Sequence, residues 1–357
     1  MNAQRRLIHP DLLRIAAIVA VIGVHSSSSG VVRHGQIDID QWWIANFLDS
    51  ACRWAMPTFI VLSGQLTLGG KGLGGIPAYY AARVRRLVVP LVTWATLYFL
   101  WYAAFQKQVV DVQFVRQWVA EGLTRNHLYF LVVLTGLTVV APALVWVRRL
   151  VGDGGMAVGG AAILAAASSG WIYRYVDMQA LTLFIPYVGY FVLGPVLARG
   201  RAGPVLAGIS GTAFVAATAW IAIGTGMRVG ELGIDDYRSL SLYDYFSIPV
   251  LIQVVAIYYL FANIGENIQK KCVRDAVSIL ASATFGIYLV HLMILDFLRQ
   301  LTFSWFKTNS GGATVFEVAV VFTASLAIAL VLCRTPYLRA VVGERAPASG
   351  GSRANDR

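Results

Sequence analysis

Arg14 and His25 stand eleven residues apart in the run DLLRIAAIVAVIGVH, Asp11 to His25. On a helix this spacing is roughly 16 Å of rise and about 20° past three full turns, so both side chains lie on nearly one face. One face would then carry a cation at one end and an imidazole at the other. That suits a long ligand with an anionic head and a reactive tip. Asp49, Arg53, His127, His291, Asp296 and Glu317 also fall within or beside apolar runs. Ionisable groups at membrane depth cost about 3 kcal/mol or more each, and their usual justification is function. A single buried histidine more often packs than titrates. Three of them with carboxylates at similar depth can supply a general base, an orienting acid and donors for an oxyanion. Asp49 and Arg53, four apart, can also simply neutralise each other.

A second group sits towards the other end of the same runs: Asp11, Arg14, Ser63, Arg83, Arg85 and Arg86. Asp11 and Arg14 share a helix face and can pair. Guanidinium forks bind phosphate bidentately, so Arg83, Arg85 and Arg86 could seat a phosphorylated ligand. The plainer reading of this run is a topology signal, and Arg14 could snorkel to the nearer surface.

The elements that hold these residues follow from composition. The chain has 357 residues, of which 57% are hydrophobic and 13% charged, with a mean hydropathy of +0.65. A soluble chain carries about 25% charged residues. The deficit runs along the whole sequence. It excludes a disordered chain and a one-span anchor and argues against a soluble enzyme. An all-α, polytopic membrane protein remains. Hydropathy places ten spans near 8–29, 42–66, 86–105, 128–147, 156–173, 180–198, 205–225, 245–263, 276–298 and 314–333. The fifth is the shortest and the richest in Ala and Gly.

Eighteen basic residues fall on the side of the termini and nine on the other, with Arg14 and Arg53 inside spans. By the positive-inside rule both termini are cytoplasmic. The net charge of +11 thus reflects orientation and implies no nucleic acid partner. Arg5 and Arg6 before an apolar run resemble a signal peptide, but Arg14 interrupts that run, so it is read as an uncleaved helix. The transmembrane domain is expected over 1–340, with a disordered cytoplasmic tail over 341–357. Cys52, Cys272 and Cys333 share no oxidising face, so no disulfide is expected. No metal-ligand spacing and no phosphate-binding glycine loop is present, so neither a metal nor ATP-driven transport is expected.

Five stretches together resemble the integral-membrane acyltransferase-3 family. They are DLLRIAAIVAVIGVH (Asp11–His25), RWAMPTFIVLSGQL (Arg53–Leu66), YYAARVRRLVVPL (Tyr79–Leu91), HLYFLVVL (His127–Leu134) and FGIYLVH (Phe285–His291). The first carries the family's Arg, ten residues, then His. The second carries its Ser-Gly pair at Ser63 and Gly64. The third carries its Arg-x-x-Arg at Arg83 and Arg86. The family often has Trp where this chain has Tyr129. The stretch IANFLDSACRW (Ile44–Trp54) is most similar to the branch of surface-polysaccharide O-acetyltransferases, here in stand-alone form.

The resemblance implies transfer of an acyl group, usually acetyl, from cytoplasmic acyl-CoA to a sugar hydroxyl of a lipid-linked or cell-surface glycan. The setting would be a bacterial cytoplasmic (inner) membrane. It implies that Arg14 and His25 are essential and that Arg83 and Arg86, with Arg85 beside them, help hold acetyl-CoA or another acyl-CoA. Direct transfer is expected, with His25 as base. Asp49, Asp296 or Glu317 would orient the imidazole, and His127, His291 or Arg53 would donate to the oxyanion. Ser63 is read as a packing residue. The competing reading is a proton-coupled transporter or flippase of a lipid-linked sugar or small acid, since intramembrane histidines and carboxylates serve that chemistry too.

Overall fold

Proline placement sets the local geometry of four helices. Proline lacks an amide hydrogen and crowds the carbonyl four residues before it. In this chain Pro57, Pro90, Pro142 and Pro195 therefore act on Arg53, Arg86, Thr138 and Phe191. The computed structural model, which describes residues 7–70, 74–107, 109–123, 127–200, 203–301 and 311–343, shows a distinct consequence at each.

At Pro57 the chain breaks. The expected span 42–66 is two helices, α2 (Ile39–Cys52) and α3 (Ala55–Leu68), with Arg53 and Trp54 between them. At Pro90 the helix widens instead. α4 (Ile76–Arg83) passes through a π turn (Val84–Val88) into α5 (Val89–Ala104). Helix therefore begins ahead of Arg83, and the arginine run lies on a helix rather than in a loop before one. Such π turns recur at functional sites. At Pro142 the Thr138 carbonyl accepts from the Tyr79 hydroxyl at 3.2 Å, which ties α4 to α7 (Tyr129–Ser168). At Pro195 the Phe191 carbonyl, on α9 (Val188–Leu197), presses on Gly64 of α3, where a Cβ would collide with it.

This contact gives the Ser63-Gly64 pair a packing role. Gly64→Val is expected to cost about 1–3 kcal/mol or more through overpacking. It should lower thermal stability in detergent. Gly159→Val, where a Cβ meets open space, should not. Equal stability of the two variants would remove the argument.

Among the described residues, seven helical stretches are long and apolar enough to cross a membrane. They are α1 (His9–Val31), Ile76–Ala104, α7, α10 (Pro204–Leu232), Tyr237–Asn267 with α11 (Ile248–Asn267) at its core, α12 (Lys271–Leu301) and α13 (Gly311–Arg334). Two short helices, α6 (Val112–Ala120) and α8 (Trp171–Tyr175), lie between them, and no strand occurs among the described residues. α7 has 40 residues and is broken at Gly152, whose φ of 65° and ψ of −173° are non-helical. Its two halves, residues 129–151 and 153–168, rise roughly 35 Å and roughly 24 Å, and they fall on the expected spans 128–147 and 156–173.

α1 is the central helix. Its main neighbours are α2, α3, α11, α12 and α13, and Leu13, Ala17, Ile18 and Ile22 are fully buried. A last short helical segment, Arg339–Val342, folds back against α5, α12 and α13. Trp94 donates to the Val341 carbonyl at 2.9 Å and Val342 is buried, so packing continues through Gly343. Residues 344–357 of the expected tail lie outside the described residues, as do Arg5, Arg6, Lys71, Arg125, Arg201 and Lys307 of the topology argument.

Candidate active site

Three histidines from three separate parts of the chain meet in the bundle. His25 comes from the C-terminal half of α1, His127 from the turn before α7, and His291 from α12. Ring centroids are 5.4 Å apart for His25 and His291 and 4.8 Å for His127 and His291. His291 is wholly buried and His127 nearly so. The His127 ring is held edge-on by Tyr98 of α5 at 5.1 Å and by Tyr288 of α12 at 4.9 Å. The Tyr288 hydroxyl also donates to the His127 backbone carbonyl. Tyr98 donates to the Leu289 carbonyl at 3.1 Å, which seats α5 on α12.

His291 has a defined tautomer. Its Nδ1 lies 2.7 Å from the carbonyl oxygen of Tyr288, three residues back on α12. A carbonyl only accepts, so Nδ1 carries the hydrogen. Nε2 is buried and has no hydrogen-bond partner. In this tautomer it accepts a hydrogen bond or proton. The oxyanion-donor role expected of His291 is therefore not available to the neutral ring, and an orienting or relay role is.

A small cavity of about 50 Å³ opens among these groups, lined by His25, Cys52, Arg53, His127, Tyr245 and Tyr288, with apolar residues around them. It has room for a group of a few heavy atoms. Arg53 reaches it because the α2–α3 break puts its side chain there. The guanidinium is paired with Asp49 and lies 4.0 Å over the Tyr243 ring. Asp49 also accepts from the Ser27 hydroxyl of α1 at 3.3 Å. Behind the pair, Tyr243 donates to Asn46 at 2.5 Å, Asn46 to the Ala222 carbonyl at 2.9 Å, and Gln253 to the Ser50 carbonyl at 2.9 Å. This buried network fixes α2 against α10 and α11, and with them Arg53.

The expected carboxylate partners go elsewhere. Asp296 accepts from Gln106 at 3.0 Å, Glu317 from Arg299 at 2.9 Å, and Asp49 is committed to Arg53 and Ser27. None of the three is hydrogen-bonded to an imidazole among the described residues. The backbone carbonyl of Tyr288 orients His291, whereas the carboxylates were expected to orient His25. Tyr98, Tyr245, Tyr288 and Arg299 were not singled out by sequence reasoning. Tyr288 was the most legible of them, one helical turn before His291 in FGIYLVH.

Towards the N-terminal end of α1, Arg14 pairs with Asp11 at 3.2 Å. Arg83 stands 5.1 Å over the Tyr79 ring, and Arg85 and Arg86 are exposed. The π turn that carries the arginine run packs on α4, α5, α7 and the Arg339–Val342 segment. Gly343, at φ +68°, brings its backbone onto the Arg86 carbonyl and the Phe285 ring, where a Cβ would clash. The arginine run is thus braced by the Arg339–Val342 segment and Gly343. Among the described residues no group of three or more His, Cys, Asp or Glu is placed to hold a metal ion.

The bundle is a multi-pass membrane protein with titratable groups gathered at its centre. The sequence model of the acyltransferase 3 family, an acyltransferase domain, matches residues 8–334, and the chain belongs to that family. It is an acyltransferase of the membrane. No curated protein and no solved structure matches the chain.

Proposed function

We propose that the protein moves an acyl group, most simply acetyl, from cytoplasmic acyl-CoA to a hydroxyl of a lipid-linked or cell-surface glycan. It would act in a bacterial inner membrane through ten spans, with both termini cytoplasmic. The observation that carries this reading is the arrangement on α1. His25 lines a small cavity with His127 and Arg53, the His291 ring stands 5.4 Å from its own, and Arg14 lies eleven residues nearer the cytoplasmic end of the same unbroken helix. Coenzyme A has a phosphorylated head and a long thin arm. Arg83, Arg85 and Arg86 suit the head, Arg14 the arm or a phosphate, and His25 the thioester.

In the step we favour, His25 takes the proton from the acceptor hydroxyl as its oxygen attacks the thioester carbonyl. The tetrahedral oxyanion is met by Arg53. Collapse breaks the carbon–sulfur bond, and the proton on His25 passes to the departing thiolate. Ester and free coenzyme A are the products.

The test uses native membranes containing the full-length protein and acetyl-CoA labelled in the acetyl group. Covalent label in the host's own glycans supports the reading. Label that only accumulates inside vesicles, with no covalent product, would favour the transporter. Arg83→Ala combined with Arg86→Ala should raise the KM for acetyl-CoA on the order of 100-fold, since each of the two lost phosphate contacts is worth roughly 1.5 kcal/mol. An unchanged KM would refute the inner anion site.

A further inference from the structure

His25 is followed by four serines, and the hydroxyls of the last three turn back onto the carbonyls of their own helix. Ser27 donates to Gly23 at 2.8 Å, Ser28 to His25 at 3.4 Å and Ser29 to Ser26 at 3.4 Å. Such back-bonding loosens and bends a helix, so α1 is locally weak where it carries the imidazole. One long side chain crosses to this point. Arg299, near the end of α12, directs a terminal nitrogen to the His25 carbonyl at 3.2 Å, the Ser26 carbonyl at 3.2 Å and the Ser29 hydroxyl at 3.4 Å. The same guanidinium forks onto Glu317 of α13, through Nε at 2.9 Å and the terminal nitrogen at 3.2 Å. Glu317 is 3% exposed. A carboxylate so placed is costly unless paired.

Arg299 would be an ordinary outer-face charge, or half of an α12–α13 packing pair, if it touched only Glu317. It does more. Its third partner is the backbone of the residue proposed as the base. α12 also carries His291, eight residues before Arg299, roughly 12 Å along the helix. The fork thus joins the two helices whose imidazoles stand 5.4 Å apart. We propose that Arg299, buttressed by Glu317, is a positioning residue that holds His25 at working distance from His291. The proposal rests on the reading of His25 as the base.

The experiment measures initial rates with acetyl-CoA in native membranes, per amount of folded protein, for Arg299→Met, Arg299→Lys and the double variant Arg299→Met with Glu317→Leu. A shift of the base by about 1 Å costs on the order of 100-fold in rate. Arg299→Met should therefore lower kcat by about that factor, with the KM for acetyl-CoA within about threefold of wild type. Lysine keeps the charge but not the fork, so Arg299→Lys should recover part of the loss. The double variant removes both buried charges and should regain detergent stability while kcat stays low.

Wild-type kcat in the double variant would reduce the pair to packing and overturn the proposal. So would a loss confined to KM. His25→Ala is run in parallel. If it is fully active, the reading of the base fails. If it is dead while Arg299→Met turns over normally, only the positioning role fails.

Discussion

His25→Ala abolishes acyl transfer while the protein still inserts and folds. The expected fall is roughly 10³-fold, within the range lost when a positioned general base is removed. Folding should survive because His25 faces a cavity and its ring meets the tilted His291 ring at 5.4 Å; the packing of α1 rests on Leu13, Ala17, Ile18 and Ile22. The measurement is covalent label from acetyl-CoA in surface glycans, with the variant's expression and detergent stability matched to wild type. A well-folded His25→Ala that acetylates normally would sink the mechanism. His291→Ala gives the contrast. If Nε2 of His291 orients or relays for His25, as its tautomer allows, that variant should be slower by about tenfold or more without being silent.

The histidine cluster was largely legible in the sequence, because ionisable residues are rare enough in apolar runs to stand out one by one. His25, His127 and His291 were found that way, and packing brought them together. What each one bonds was not legible. Asp296 and Glu317 have the chemistry of a histidine's partner, but chain order says nothing about whether Gln106 or Arg299 reaches them first. Arg299 itself looked like an outer-face charge, since its contact with the His25 carbonyl depends on the register of α12 against α1. Helix boundaries near prolines were the other gap. Hydropathy runs unbroken through Pro57, so 42–66 read as one span. The carbonyl that Pro57 crowds is that of Arg53, and the break there carries the guanidinium into the cavity. A proline four residues after an arginine occurs again at Arg86 and Pro90, where the helix opens into a π turn instead. That spacing was visible in the sequence and could have been read as a local distortion at both charges.

Arg53 separates stability from catalysis. Arg53→Met should destabilise the protein by about 3–5 kcal/mol, the usual result of stripping one partner from a buried ion pair. The reason is Asp49, which is wholly buried and would keep only the Ser27 hydroxyl as a donor. Pairing the change with Asp49→Leu removes the stranded charge. The double variant should recover most of the lost stability, seen as thermal unfolding in detergent close to wild type. It should not recover transfer. If the Arg53 guanidinium meets the oxyanion, its loss costs about 10²- to 10³-fold in kcat whatever happens to Asp49. Tyr243 beneath the guanidinium makes the same point from the other side. Tyr243→Phe keeps the ring under the cation and loses only the hydrogen bond to Asn46, so it should cost far less than Tyr243→Ala, which removes the platform. A stable double variant with restored transfer would show that Arg53 neutralises Asp49 and nothing more, and the oxyanion would then have to be met by His127 or Tyr288 across the same cavity.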